Sequence, residues 1–200
     1  MRSTFLSGHF YIPMDLNNPF SGDASFEPDH DNIELIEELY PSIEKYQHLA
    51  KEYSIEDIFQ DNGGKLLQVL AMLGLENIPD RQGNDAVDRY GNEYELKSVN
   101  LDKRSPQFTT HHHLNIERLN KYRSIGWIFA TYEGIDIREI YYSPPERIEN
   151  PYFTRWEEKL KRKIQDPDED NHLNNPKISV SHVRNVGNKL FPDGGQGDLF

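Results

Sequence analysis

Cysteine is absent from the 200 residues. That excludes a disulfide framework and any thiolate metal centre. No run approaches 18 apolar residues, so no membrane span is expected. The segment from Met1 to Phe20 lacks a basic stretch followed by a long apolar one, so no secretory signal is expected either. The lack of cysteine suits the cytoplasm. Basic residues are also in short supply: 22 Lys and Arg stand against 34 Asp and Glu, a net charge of -12. Such a balance argues at first against a nucleic-acid partner. Its distribution weakens that objection. Residues 1–60 carry a balance of -9 and residues 166–200 a balance of -3, so residues 61–165 are neutral. Aliphatic residues are lean, and with aromatics at 12 % Tyr and Phe must supply much of the buried area.

The chain reads in four parts. Residues 1–32 are rich in Asn, Asp, Pro and Gly and read as a flexible acidic arm. Residues 33–60 are helical by their apolar spacing: Ile33 to Tyr46 with a bend before Pro41, then Gln47 to Tyr53. Residues 61–189 form the core, and residues 190–200 a flexible tail. Within the core, the turn Asp61-Asn62-Gly63-Gly64 launches a helix from Lys65 to Leu73, closed near Gly74. Ala86 to Tyr90 and Glu93 to Val99 read as a strand pair across Gly91-Asn92. Trp127 to Tyr132 reads as a central strand and Ile135 to Tyr142 as its neighbour, after a short helix from Asn115 to Arg123. Tyr152 to Ile164 reads as a helix with a basic face, and Ile178 to Val186 returns to the core. The fold class is α/β (or α+β), a mixed central β-sheet flanked by helices.

Tyr94-Glu95-Leu96-Lys97-Ser98 carries the first chemical signal. Alternation on a strand puts Glu95 and Lys97 on one face and Tyr94, Leu96 and Ser98 on the other, which is the face expected to enter the core. A hairpin can fold Asp85 back beside Glu95. Two carboxylates and a backbone carbonyl, that of Leu96, offer hard oxygen ligands for Mg²⁺, and Lys97 can orient a water or stabilise charge on a phosphate. The same pattern also fits an ordinary Glu–Lys pair on a surface strand. His111-His112-His113, after Thr109-Thr110, leaves three readings open: contacts to base edges, a metal cluster, or plain surface histidines. Asn174-Asn175 could pair with adenine or simply form a turn before a strand.

Taken in order, the strings DIFQDNGGKLLQVL from Asp57, GNDAVD from Gly83, YELKS from Tyr94, THHH from Thr110, WIFA from Trp127 and NNPKI from Asn174 closely resemble the PvuII family of type II restriction endonucleases, within the PD-(D/E)xK nuclease superfamily. The resemblance runs from about Ile33 to Lys189, with Asn84 in place of the pattern's leading Pro. It implies a restriction-endonuclease-like fold and N-terminal dimerisation helices within residues 33–60. It implies a homodimer that encloses double-stranded DNA, a Mg²⁺ cofactor, and blunt cutting within the palindrome CAGCTG. It further implies a methyltransferase in the same restriction–modification system, in a prokaryotic cytoplasm. Asp85 and Glu95 then match metal-binding carboxylates, Lys97 the catalytic lysine, and Tyr122 a tyrosine near the active site. Asp61 matches a minor-groove contact. Thr109, His111, His112, His113, Asn174 and Asn175 fall in the DNA-reading segments. Gln82 stands where relatives carry an acid, and the loop from Asp102 to Phe108 is one residue longer. The terminal Gln196 to Phe200 separately resembles a short peptide that docks on bacterial sliding clamps. A repair or junction nuclease on the same catalytic plan, and a non-catalytic DNA-binding module, are the competing functions.

Overall fold

The helix after the Asp61–Gly64 turn begins where two consecutive residues, Asp61 and Asn62, adopt left-handed φ of 47° and 63°. Gly63 must follow them, because a Cβ there would lie 2.3 Å from the Asp57 carbonyl oxygen. In this computed structural model, which describes residues 30–78, 85–165 and 170–192, the described residues fall into two compact units that divide between Ile43 and Glu44. Helix α1 (His30–Glu52) runs through Pro41 as one element. Proline removes one backbone donor, and the exposed surroundings of Pro41 let water take up the freed carbonyl. Leu35, Ile36, Leu39 and Tyr40 on its N-terminal half are all exposed.

In the second unit, α2 (Gly63–Leu73) buries Leu67, Val69 and Leu70 and ends on Gly74, whose φ of 64° closes the last turn. Strands β1 (Glu76–Asn77), β2 (Ala86–Val87) and β3 (Glu93–Asn100) are paired antiparallel in succession. Strand β4 (Gln107–Thr109) and helix α3 (Ile116–Tyr122) form the crossover to β5 (Gly126–Glu133), which returns parallel to β3. Strand β6 (Asp136–Ser143) lies antiparallel to β5. A short helix α4 (Glu146–Ile148) and a π-helical turn (Glu149–Phe153) lead into α5 (Thr154–Gln165). Strand β7 (Lys177–Ser179) pairs with β4 as a separate ribbon. Helix α6 (Val180–Val186) and strand β8 (Asn188–Phe191) finish the unit, with β8 on the edge beside β6. The main sheet runs β1-β2-β3-β5-β6-β8, so β3 and β5 occupy its middle. This is the mixed sheet flanked by helices that the sequence predicts.

Trp127, Phe129, Phe108, Phe153 and Leu119 pack together on one face of the sheet, fully buried. Each such side chain contributes about 1.5–3 kcal/mol by leaving water. The Trp127 indole donates to the Tyr122 carbonyl at 3.0 Å, fixing the end of α3 against β5. Three local readings change or sharpen. Strand β2 stops at Val87, not Tyr90, because the Asp88 carboxylate accepts from the Tyr90 and Asn92 backbone amides at 2.8 and 2.9 Å and turns the chain. The segment after Ile178 is a short strand followed by a helix, which Ser179 caps through its hydroxyl. The third concerns β3. Glu95 and Val99 are buried, while Leu96 is half-buried and Ser98 exposed. The face expected to enter the core is the one that lines a cleft, and the charged face is the one closed over.

Candidate active site

The β2–β3 hairpin continues its register past Ala86↔Tyr94, and the Asp85 amide donates to the Tyr94 carbonyl at 3.0 Å. Asp85 is thereby held across from Glu95. Its Oδ2 accepts from the Leu96 amide at 2.8 Å and lies 3.3 Å from the Lys97 ammonium. The same ammonium lies 2.5 Å from Glu95 Oε1 and 3.0 Å from the Leu96 carbonyl oxygen. Three oxygens of the candidate metal set thus converge on a single cation. The face can close because this acid and amine neutralise each other in place.

Exposure falls from Asp85, with 42 % of its side chain open, through Lys97 at 16 % to Glu95 at 7 %. Burial pushes the Glu95 carboxyl up, opposed by Lys97 and reinforced by Asp85. Burial disfavours the charge on Lys97, but Glu95 and Asp85 outweigh it and hold the group as an ammonium well above its ordinary range. Tyr122 sits behind the pair. Its hydroxyl is buried, faces the Glu95 carboxyl and favours the charged form of that acid. Burial first, and the Glu95 charge next, push that phenol up.

Asp85 and Lys97 open onto a cleft of about 800 Å³ that Asp61 also lines, opposite Leu66 and Val69 of α2. The histidines and asparagines gather separately. The Thr110 amide and hydroxyl both donate to the Pro176 carbonyl, at 3.0 and 2.8 Å. Leu114 and Leu173 exchange a pair of backbone hydrogen bonds at 3.0 and 2.8 Å. Between these two clamps lie His111, His112 and His113 on one strand end and Asn174 and Asn175 on the other, with Thr109 exposed on β4 just before. Asn175 Nδ2 is 3.1 Å from His112 Nδ1. Burial, then Arg118, lower the basicity of His111, and the Lys97 charge adds to the effect.

The family model for restriction endonuclease PvuII matches residues 31–191, which includes every residue of both clusters. The chain belongs to the PvuII restriction endonuclease family. It is a type II site-specific deoxyribonuclease, a DNA-binding hydrolase of restriction–modification that acts on double-stranded DNA. Enzymes of this family use a divalent metal. Among the described residues no group of three or more His, Cys, Asp or Glu side chains is placed to hold one. The fit instead comes from two carboxylates and one carbonyl, all hard oxygen donors, beside the buried Tyr122 hydroxyl. The three histidines do not form a metal group.

Gln82 and Asn84 lie outside the described residues, as does the terminal Gln196 to Phe200. No described helix is long and apolar enough to cross a membrane. Sequence reasoning missed His172, which joins the histidine cluster against His113 with ring centroids 4.2 Å apart. Its only sequence signal is its place two residues before the asparagine pair.

Proposed function

We propose that this PvuII-family enzyme is a Mg²⁺-dependent homodimer that cuts both strands of the palindrome CAGCTG to blunt ends, in a prokaryotic cytoplasm alongside a methyltransferase that protects the host site. The observation that carries the chemistry is the convergence of Asp85 Oδ2, Glu95 Oε1 and the Leu96 carbonyl on one point at the wall of the cleft. Asp85, Glu95 and Leu96 would hold the ion, which when bound acidifies water and offsets charge on the phosphate. Lys97 donates hydrogen bonds from its ammonium to the attacking water or a phosphate oxygen. The Tyr122 hydroxyl donates beside Glu95 without charge.

Asp61 meets the DNA from the side of the cleft. Imidazole N–H groups of His112 and His113, with His111 beside them, suit guanine O6 and N7 in the major groove, and Asn175, next to Asn174, suits the adenine edge. Thr109 flanks them on β4. A two-fold dimer matches a palindrome, each subunit cutting one strand. The exposed apolar side chains of α1, Leu35, Ile36, Leu39 and Tyr40, are the surface we assign to the partner copy. The tail from Gln196 is a separate candidate contact with a sliding clamp, tested by pull-down against a chain truncated after Gly195.

Plasmid incubated with the enzyme and Mg²⁺, followed by sequencing of the ends, tests the reading. Blunt cuts at one palindrome are expected. Cuts confined to branched DNA would instead mark a junction nuclease. Asp85→Ala or Glu95→Ala should lower cleavage at least about a hundredfold while specific DNA binding survives. Normal cleavage by those variants would sink the catalytic assignment.

A further inference from the structure

His172 lies between α5 and β7, next to Leu173, whose backbone is paired in both directions with Leu114. That pairing brings its ring against His113, with planes inclined at 56°. His113 in turn lies edge-on to His112, with centroids 4.4 Å apart. Nε2 of His172 is 3.1 Å from Asn174 Oδ1. An amide oxygen only accepts, so His172 carries a proton on Nε2 and donates. On the far side of the cluster the Asn175 amide donates to His112 Nδ1. His112 is thus an acceptor at Nδ1, and its proton sits on Nε2. Five side chains form one chain of contacts, from Asn174 through His172, His113 and His112 to Asn175.

We propose that His172 is a positioning residue of the base-reading surface, fixing the carboxamide of Asn174 and the ring of His113 and so setting how strongly the enzyme discriminates between sites. The inference rests on the proposed reading of DNA by the histidine and asparagine clusters. The physical case is one of preorganisation. Asn174, His112 and His113 are exposed, and an unrestrained exposed side chain must be ordered when it meets a base. Asn174 also needs one orientation, because turning the amide by half a turn exchanges its donor and acceptor. The contact with His172 holds Oδ1 on the side of that ring and so fixes which end of the amide is the donor. A base then meets one orientation of the carboxamide instead of two.

Three variants separate the parts of this role. His172→Ala removes the ring and the donor. His172→Phe keeps an aromatic ring beside His113 and removes only the donor. His172→Gln restores an N–H donor. For each, kcat and KM are measured on a duplex carrying CAGCTG and on duplexes with each base pair of one half-site changed singly. Melting temperature is recorded alongside. Ala and Phe should lower discrimination at one base pair by about fivefold or more, with melting close to that of the unaltered enzyme, and Gln should recover most of it. A merely structural residue would move melting and all substrates together, and Gln would not rescue one base pair selectively. If the unaltered enzyme discriminates while Ala and Phe discriminate equally well, this inference is overturned and the base-reading proposal stands. If the unaltered enzyme cuts all sequences alike, both fall.

Discussion

Lys97 and Glu95 point from the same face of β3, and their charged atoms meet at 2.5 Å with 16 % and 7 % of the side chains exposed. Neither charge has enough water to stand without the other. Lys97→Met should therefore destabilise the fold by about 3–5 kcal/mol, because it strands a buried carboxylate. Adding Glu95→Gln to that variant should recover at least half of the loss. Urea unfolding of the two singles and the double, read as a double-mutant cycle, measures the coupling. Additive losses would mean the two side chains do not sense one another.

Asp88 gives the hairpin an acid-sensitive joint. Asn92 donates to it from side chain and backbone, and the Tyr90 amide and Tyr94 hydroxyl add to these. The Asn92 side chain foremost holds its pKa down at about 2, from an ordinary 3.8. A depressed carboxyl contributes stability above the unfolded value, and loses it as pH falls through the folded one. Denaturant midpoints should fall between about pH 4 and pH 2, and Asp88→Asn should flatten the curve in that window. An unchanged slope in the variant would remove Asp88 from the account.

His113 should resist protonation. Partial desolvation by its packed neighbours, then His172 and His112, hold this exposed ring below its ordinary 6.5, with Asp170 pulling the other way. The unfolded chain takes up this proton first, so the associated stability is present above pH 6.5 and is lost as pH falls through the folded value. In an NMR titration, His172→Phe should move the His113 midpoint upward, though not fully, since a ring still packs against it and His112 remains. A fixed midpoint would show that the two rings do not interact.

Gly63→Ala places a methyl group 2.3 Å from a backbone oxygen that cannot swing away. A loss of about 1–3 kcal/mol is expected, with weaker cleavage, since Asp61 sits two residues before. Thermal melting decides it; wild-type stability would mean that the turn has another way to relax.

Much of this architecture was legible in the residues. Period-two alternation gave β3 its acid and amine on one face, and apolar runs gave β5 and β6 their place in the sheet. The direction of that face was not legible. Alternation tells which side chains share a face but not which face is covered, and the buried side was decided by packing with Tyr122 and Trp127, which a crossover brings back beside β3. Strand β2 was overread because the turn is made by a side chain: nothing in Asp88-Arg89-Tyr90 breaks a strand until the carboxylate reaches back to two amides. His172 was silent because its contacts come from the Leu114–Leu173 bridge, a pairing between segments far apart in the chain.

Strand β3 carries Lys97, and after a short excursion the same chain becomes β4 and delivers Thr109 and His111 to the ribbon. On the proposed assignments, reader and cutter are consecutive stretches of one polypeptide, joined in series without an intervening hinge domain. A wrong base pair that tilts the ribbon would tug on the strand bearing the ammonium. Fidelity would then be exercised twice, once when the duplex docks and again when the bond is due to break, with the second check transmitted as tension along the backbone.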